Sequence, residues 1–272
     1  MKTYLCGLLA MILLLGCKQQ NSKTTPTSTQ PKHTFVLVHS AWLGSWQWEA
    51  VKKELETAGH QVITPDLPGH GASKKLASEI LMDDYVNTLT QVLDSQLEPV
   101  ILVGHSFNGI TVSRATELRP YKVKSLVYLT AFLVPNGVSF FQAVQGVEGS
   151  KAVDNFYLSE DQTQAFVKNS EIHQAFAHDT PLEVFEKVAS KIVPEPAAPL
   201  AYALEITDEQ WGQVPKYYIE CTLDKAIPVA VQRAMHTNNV AEVFSLEASH
   251  TPNFSKPKEL SDILLKIAQS VE

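Results

Sequence analysis

A serine near the middle of the chain lies where a nucleophile could stand. In VILVGHSFNGI, residues 100–110, an apolar run reaches Gly104 and passes at once into a helix-like pattern. Ser106 is therefore predicted to lie at a tight turn between a strand and a helix, with its hydroxyl clear of the backbone. Asn108 stands where the G-x-S-x-G pattern has its second glycine. We expect Asn108 to fill a gap and Gly109 to take the close helix contact; the alternative is that Asn108 pushes the helix outward.

A serine hydroxyl needs a base to remove its proton, and a carboxylate to orient that base. Asp224 follows the strand-like segment PKYYIE, and His250 follows EVFSLE. The chain order of Ser106, Asp224 and His250 fits a Ser-His-Asp triad. Two other acids are weaker candidates, because Glu220 lies inside a predicted strand and Asp66, in PDLPGHGAS, is interpreted as a turn residue.

The other histidines outside the strand ends are interpreted as loop, turn or surface residues. They are His33, His60, His70, His173, His178 and His236. The pair His173 and His178 lacks accompanying ligands, so neither a metal nor a cofactor is predicted.

Six short β-branched segments alternate with amphipathic segments. The predicted strands are TFVLVH, QVITPD, PVILVG, VKSLVYL, PKYYIE and EVFSLE. The predicted helix faces are Val51, Leu55 and Ala58; Leu81, Tyr85, Leu89, Val92 and Leu93; and Leu260, Ile263, Leu264, Ile267 and Val271. This order predicts an α/β fold with a mostly parallel doubly wound sheet. Ligands bind such sheets beyond the carboxyl ends of the strands, where the candidate triad falls.

The interval from about 132 to 214 shows no clear strand and contains helical and proline-rich pieces. It is predicted to be a helical cap inserted into a domain that spans residues 34–272. Apolar side chains near the predicted turn are candidate pocket walls: Trp42, Phe107, Phe132, Leu133, Phe140 and Phe141.

The N-terminus has the pattern of an export signal. Lys2 precedes LLAMILLL, an apolar run too short for a stable membrane helix. The following LLGC resembles the lipobox of bacterial lipoproteins, so we expect a signal peptide over 1–16 and a lipidated Cys17. Residues 17–33 contain KQQNSKTTPTSTQPK and are predicted to form a flexible tether. The protein would then be an exported, membrane-anchored lipoprotein facing the periplasm or cell exterior; the alternative is an ordinary signal peptide with an incidental cysteine.

Charge and cysteine content exclude two classes of protein. The 272 residues carry 22 basic and 29 acidic side chains, a net charge of −7, with no dense basic run. Nucleic acid is therefore not a predicted partner. Cys221 is the cysteine that remains beyond the N-terminal segment, so no intramolecular disulfide framework is expected.

Six stretches together resemble the hydroxynitrile lyase and methylesterase family of α/β-hydrolases, including its bacterial esterase branch. They are FVLVHSAWLGSWQWEAV, PDLPGHGAS, LVGHSFNG, YLTAF, YIECTLDKAIPVAVQRAM and ASHTPNFSKPKEL. The resemblance runs from Thr34 to the C-terminus and is weakest in the cap. It implies an α/β-hydrolase fold and roles for five residues: Ser106 as nucleophile, Asp224 as acid, His250 as base, and the backbone N–H groups of Ala41 and Phe107 as the oxyanion hole.

The resemblance favours a hydrolase of small or medium apolar esters that works through an acyl-enzyme. A cyanohydrin-cleaving lyase is the alternative, but many such lyases have a lysine after the catalytic histidine, where this chain has Thr251. Ser40, a further candidate for the pocket, stands where many esterases have glycine and some lyases have a polar residue; it is interpreted as loop variation. A ligand-binding homologue without activity is a third reading, which Asn108 leaves open.

Overall fold

The computed structural model describes Met1, Thr3 and residues 32–73 and 75–271. The residues from Lys32 onward belong to one unit. The predicted signal peptide, Cys17 and nearly all of the tether lie outside the described residues. In the described part, no helix is long and apolar enough to cross a bilayer.

Strands and helices alternate along the chain as expected. The strands are β1 Thr34–Val38, β2 Gln61–Ile63, β3 Val100–His105, β4 Val123–Leu129, β5 Phe156–Leu158, β6 Gln164–Val167, β7 Glu195–Pro196, β8 Lys216–Cys221 and β9 Glu242–Leu246. The α-helices are α1 Glu49–Thr57, α2 Met82–Asp94, α3 Gly109–Leu118, α4 Phe140–Ala143, α5 Lys151–Asp154, α6 Asn169–Phe176, α7 Leu182–Ala189, α8 Ala197–Leu200, α9 Val229–His236, α10 Pro252–Ser255 and α11 Pro257–Ser270.

The central sheet has six strands in the order β2-β1-β3-β4-β8-β9, and every described pairing within it is parallel. These are the six strands predicted from the sequence, so the doubly wound α/β sheet is confirmed. The middle strand β3 is buried along its whole length, as expected for a parallel strand covered on both faces.

Successive strand residues point to opposite faces of the sheet. Val36 and Leu102 belong to one apolar cluster, together with side chains of α2 and α3. Phe35 and Ile101 belong to another, together with side chains of α1 and α11. Most residues of the predicted helix faces are buried here. Val92 and Val271 are half-buried, Leu81 precedes α2 and is 57% exposed, and Ala58 lies just beyond α1 and is exposed.

The segment between β4 and β8 contains strands as well as helices. There β5, β6 and β7 pair as a three-stranded antiparallel sheet, and α4 to α8 surround it in the chain. The prediction of a cap without a clear strand is therefore wrong. These strands have only two to four residues, which is too short for an alternating pattern to show.

Candidate active site

Ser106, His250 and Asp224 form one hydrogen-bonded chain. His250 Nε2 lies 2.8 Å from Ser106 Oγ, and His250 Nδ1 lies 2.6 Å from Asp224 Oδ2. The three side chains are buried and follow β3, β8 and β9, at the carboxyl edge of the sheet. The geometry suits a neutral imidazole that donates its Nδ1 proton to Asp224 and accepts the Ser106 hydroxyl proton.

The turn that carries Ser106 is strained and tightly packed. Ser106 has a backbone φ of 58°, a value that residues other than glycine rarely adopt. A Cβ on Gly109 would lie 2.5 Å from the Phe132 carbonyl oxygen. Helix α3 therefore makes its close backbone contact at Gly109, the position expected from the sequence.

Asn108 joins this turn to the loop after β1. Its Nδ2 donates to the His39 carbonyl at 2.7 Å, and its Oδ1 accepts from Thr111 Oγ1 at 2.6 Å. The side chain is fully buried, and both of its polar atoms have partners. Asn108 therefore fills a space and ties two loops of the site together.

Replacing Asn108 tests this role. Asn108→Gly is expected to lower the free energy of unfolding by about 1–3 kcal/mol, because the His39 carbonyl stays buried without its donor. We expect no rise in kcat for an ester substrate, since the turn is not relieved of strain. Thermal unfolding and kcat are the measurements. A large rise in kcat would show instead that asparagine holds the helix too far out.

The neighbouring glycine provides the matched control. Gly109→Ala places a methyl group against the Phe132 backbone, so it should lose more stability and more activity than Asn108→Gly. If Asn108→Gly instead loses more stability and activity than Gly109→Ala, the close contact does not lie at Gly109.

Asp224 is fixed by five donors, the longest contact being that of Gln232 Nε2 with Oδ2 at 3.4 Å. Its Oδ1 accepts the N–H groups of Ala226 at 2.7 Å and Ile227 at 2.9 Å. Its Oδ2 accepts from His250 and from Thr130 Oγ1, the latter at 2.5 Å. Sequence reasoning missed Thr130, although this residue follows β4 and the rule that sites lie at strand ends could have found it.

The two alternative acids lie in other interactions. Glu220 pairs with Arg233, at 2.8 Å, and with His236. Asp66 Oδ1 accepts the N–H of Ser45 at 2.7 Å, in keeping with a turn role. Neither carboxylate is hydrogen-bonded to His250 in the described structure, whereas Asp224 is.

Gln47 connects three loops of the site and was not predicted. Its Oε1 accepts the Ser40 N–H at 3.0 Å, and its Nε2 lies 2.9 Å from His105 Nδ1. His105 Nε2 in turn lies 2.8 Å from the His250 carbonyl. Burial lowers the pKa of His105 well below 6.5, so this imidazole stays neutral. A neutral His105 does not oppose a positive charge on His250.

The backbone N–H groups of Ala41 and Phe107 are the predicted oxyanion donors. Ala41 follows Ser40 in the loop held by Gln47, and Phe107 directly follows Ser106. No described residue supplies a backbone or side-chain acceptor for either N–H. Both residues are buried, and backbone donors in a buried site suit an oxyanion hole.

A buried ion pair attaches the cap to the loop after β2, and its carboxylate also holds the loop after β1. Glu195 of β7 lies 2.8 Å from His70 Nε2, and it accepts hydrogen bonds from Tyr85 Oη at 2.8 Å and the Trp42 N–H at 2.9 Å. The second nitrogen of His70 faces the Pro68 carbonyl, so both ring nitrogens face acceptors, as in an imidazolium. Glu195 thus fixes the residue directly after Ala41.

The interpretation of the other histidines as loop, turn or surface residues needs correction. His70 lies in a turn but is fully buried and paired with Glu195. His33, His60 and His236 are also buried. Their partners are distant in the chain, so local sequence gives no sign of this burial.

The ion pair predicts a pH dependence of stability. Burial alone would lower the pKa of His70, but the Glu195 carboxylate outweighs it and raises this pKa above 6.5. For Glu195, burial would raise the pKa, but His70 lowers it below 4.5. The contribution of His70 to the free energy of unfolding is complete below pH 6.5 and is lost as the pH rises through its raised pKa. That of Glu195 is complete above pH 4.5 and is lost as pH falls through its lowered pKa.

Both contributions are complete between pH 4.5 and pH 6.5. In this range Glu195→Gln should lower the free energy of unfolding by about 3–5 kcal/mol. Denaturant unfolding at a series of pH values measures it. The exposed pair Lys52–Glu56 is the control, and Glu56→Gln should cost below about 1 kcal/mol. Equal effects of the two variants would contradict the role of the buried pair.

An apolar chamber adjoins Ser106. Of the predicted pocket walls, four line it: Trp42, Phe132, Phe140 and Phe141. The other predicted walls are placed differently. Ser40 lines the adjacent cavity, Leu133 lines a separate one, and the Phe107 ring packs edge-on against Phe140. Phe156 and Phe176, which were not predicted, also line the chamber.

Comparison with known proteins agrees with this fold. The model of the Alpha/beta hydrolase family matches residues 35–263, and the chain belongs to that family. Methylesterase 7 of Arabidopsis thaliana is 35% identical over 248 residues, covering 86% of this chain and 95% of the relative. Alpha-hydroxynitrile lyase of the same plant is 32% identical over 252 residues, covering 87% and 97%.

A solved structure supports the same conclusion. A pyrethroid hydrolase from Sphingobium faniae JZ-2 aligns with a TM-score of 0.81 at 27% identity, covering 88% of this chain and 98% of its own. The esterases and hydrolases among these relatives support an ester-hydrolysing enzyme of the α/β-hydrolase type.

Proposed function

We propose that the protein is a serine-dependent carboxylic ester hydrolase that acts on small or medium apolar esters through an acyl-enzyme. The observation that carries the proposal is the continuous chain from Ser106 Oγ through His250 to Asp224, with bonds of 2.8 and 2.6 Å. An apolar chamber beside the serine supports an uncharged substrate.

In the first step, Ser106 Oγ attacks the ester carbonyl carbon while His250 Nε2 takes the hydroxyl proton. The carbonyl oxygen becomes an oxyanion, which the N–H groups of Ala41 and Phe107 stabilise. His250 then gives its proton to the alkoxy oxygen. The carbon–oxygen bond breaks, the alcohol leaves, and the acyl group stays on Ser106.

In the second step, water replaces the alcohol. His250 removes a proton from water, whose oxygen attacks the acyl carbon, and the resulting intermediate expels Ser106 Oγ with return of that proton. The acid leaves and the enzyme is restored. Asp224 stabilises the imidazolium in both steps and does not transfer a proton.

The lining of the site favours hydrolysis over cyanohydrin cleavage. The residue after His250 is Thr251, whose Oγ1 donates to the Phe176 carbonyl at 2.8 Å. Of the described residues that line the chamber at Ser106, none is lysine or arginine. A departing cyanide ion would therefore lack a lysine or arginine partner there.

One assay separates the candidate functions. The purified protein is given short-chain nitrophenyl esters and, separately, mandelonitrile. The proposal predicts ester hydrolysis without cyanide release. Cyanide release with little ester hydrolysis would establish the lyase, and tight ligand binding without turnover would establish a non-catalytic homologue.

The proposed cellular location is the membrane surface. Cys17 would carry the lipid anchor after removal of residues 1–16, and the anchored domain would face the periplasm or cell exterior. A multiply acylated N-terminus holds a protein to a membrane more firmly than one chain does. The expected partners are the membrane and a small ester.

Cys17→Ala tests the anchor. The variant should lose label from a radioactive fatty acid and should remain an unprocessed precursor or leave the membrane fraction. Cys221→Ala is the control and should keep the label. Label retained on Cys17→Ala would contradict the lipoprotein assignment.

A further inference from the structure

His250 lies in the loop that joins β9 to α10, and this loop is hydrogen-bonded to the cap. The backbone N–H groups on either side of His250 both donate to cap residues. That of Ser249 donates to Asp179 Oδ2 at 2.8 Å, and that of Thr251 donates to the Phe176 carbonyl at 3.0 Å. The main chain of the proposed base is therefore held by a segment 70 residues away in the sequence.

The Asp179 carboxylate accepts side-chain hydrogen bonds from both sides of His250. Ser249 Oγ donates to Asp179 Oδ1, and Ser255 Oγ, at the end of α10, donates to Asp179 Oδ2 at 2.9 Å. With the Ser249 N–H, the carboxylate has three donors in the described structure. All three belong to the His250 loop or to α10, so this loop cannot shift against the cap without breaking them.

The turn that contains Asp179 is itself fixed. It directly follows α6, and the Thr180 N–H donates to the Ala177 carbonyl at 2.8 Å. His173 Nε2 of α6 lies 2.9 Å from the Thr180 carbonyl. Ser249 is fully buried, so water does not readily replace the carboxylate as its partner. Asp179 is thus a rigid attachment point for the loop.

The proposed mechanism depends on the exact place of the His250 ring. Its Nε2 must reach Ser106 Oγ, at 2.8 Å, while its Nδ1 reaches Asp224 Oδ2, at 2.6 Å. A displacement of about 1 Å in a catalytic group can cost about 10²-fold in rate. Ser106 and Asp224 follow strands of the central sheet, whereas the contacts that hold the main chain beside His250 come from the cap.

We propose that Asp179 is a positioning residue, which holds the chain beside His250 so that the imidazole reaches Ser106 and Asp224 together. It acts through hydrogen bonds to Ser249 and Ser255 and transfers no proton. The inference rests on the proposed ester hydrolysis and adds one cap residue to the groups that this reaction requires.

Asp179→Ala removes all three acceptor contacts. It should lower kcat for a short nitrophenyl ester by about 100-fold and change KM by less than about twofold, because the substrate cavities keep their walls. Such a split between kcat and KM is expected from a displaced base. Thermal unfolding checks that the variant is folded.

Asp179→Asn keeps the geometry and removes the charge. Its amide oxygen can accept the Ser249 N–H and Ser255 Oγ, and its NH₂ group can donate to Ser249 Oγ. The Ser249 hydroxyl proton then turns to the Phe176 carbonyl, which lies 3.1 Å away. The kcat of this variant should stay within about threefold of wild type.

Asp161 is the matched control within the cap. Its Oδ1 also accepts three hydrogen bonds, from Ser159 Oγ at 2.6 Å, the Thr163 N–H at 3.1 Å and Thr163 Oγ1 at 2.9 Å. These donors lie in the turn between β5 and β6, far along the chain from His250. Asp161→Ala therefore removes as many hydrogen bonds, and kcat should stay within about twofold of wild type.

Proton NMR reports the position of the base without any substrate. The proton between His250 Nδ1 and Asp224 Oδ2 lies in a short hydrogen bond to a carboxylate, and it should give a resolved downfield signal. Asp179→Ala should shift or broaden this signal, whereas Asp179→Asn and Asp161→Ala should keep it. A lower kcat with an unchanged signal would show that Asp179 does not act through His250.

Ser249→Ala makes a milder change, for the case that Asp179→Ala does not fold. It removes one of the three donors, so kcat should fall by about tenfold. Ser159→Ala removes one donor from Asp161 and is its control, with kcat near the wild-type value.

The outcomes separate this inference from the proposed function. The positioning role is wrong if folded Asp179→Ala keeps its kcat, if Asp179→Ala and Asp161→Ala lose equally, or if Asp179→Asn is as harmful as Asp179→Ala. It is also wrong if Ser249→Ala and Ser159→Ala have equal effects. If wild type hydrolyses no ester, the proposed function fails, and the NMR comparison still decides whether Asp179 positions His250.

Discussion

Ser106→Ala should lower kcat/KM for a short nitrophenyl ester by about 10⁴-fold or more, with little change in thermal stability. The triad acts as a unit, so removal of the nucleophile abolishes the acyl-enzyme path and leaves only the contribution of the oxyanion donors and binding. Loss of one hydroxyl from a strained turn should not unfold the protein. Steady-state kinetics and thermal unfolding of the two proteins measure both effects.

A second buried serine of the same region serves as the control. Ser113 lies in α3, where its Oγ lies 2.7 Å from the Gly109 carbonyl and 2.7 Å from Tyr128 Oη. Ser113→Ala removes an equal group that is not hydrogen-bonded to His250, so kcat/KM should stay near the wild-type value. If Ser106→Ala keeps most of the activity, Ser106 has no part in the mechanism.

Asp224→Asn should be nearly as harmful, at about 10⁴-fold in kcat. The asparagine oxygen would continue to accept the N–H groups of Ala226 and Ile227, which places its amide NH₂ against His250 Nδ1. That nitrogen must then be an acceptor, and the ring proton moves to Nε2. His250 can no longer accept the Ser106 proton, although the geometry is otherwise kept.

Glu220 provides the matched carboxylate. It lies in β8, shortly before Asp224, and is hydrogen-bonded to Arg233 and His236. Its pKa is lowered to about 2, first by the hydrogen bond from Arg233. Glu220→Gln should therefore reduce stability while kcat is maintained. A mild effect of Asp224→Asn, or a strong loss of kcat in Glu220→Gln, would show that a residue other than Asp224 is the acid of the triad.

The framework could be predicted from sequence because its signals are local. Strands such as β3 and β4 are apolar along their length, since both faces of a parallel sheet are covered. The triad could be found because Ser106, Asp224 and His250 each follow such a strand. The same rule applied to β4 would have identified Thr130.

The supporting interactions could not be predicted, because they join distant segments. Glu195 lies 153 residues from Trp42, in a proline-rich segment without a regular pattern. Gln47 is a single polar residue between two tryptophans, and nothing nearby indicates that it contacts His105. The short strands of the cap depend on one another rather than on their own periodicity, so their sequences did not reveal them.

Ser106 Oγ is the proposed attacking nucleophile. The most direct measurement is the site of covalent labelling when the protein is inactivated by an alkyl fluorophosphonate, read by peptide mass spectrometry. Attack by the serine oxygen expels fluoride and leaves one phosphonyl group on Ser106. One label per chain is expected, on Ser106, and it should increase in step with the loss of ester hydrolysis. Label on another residue during inactivation, or full hydrolysis by protein labelled at Ser106, would contradict it.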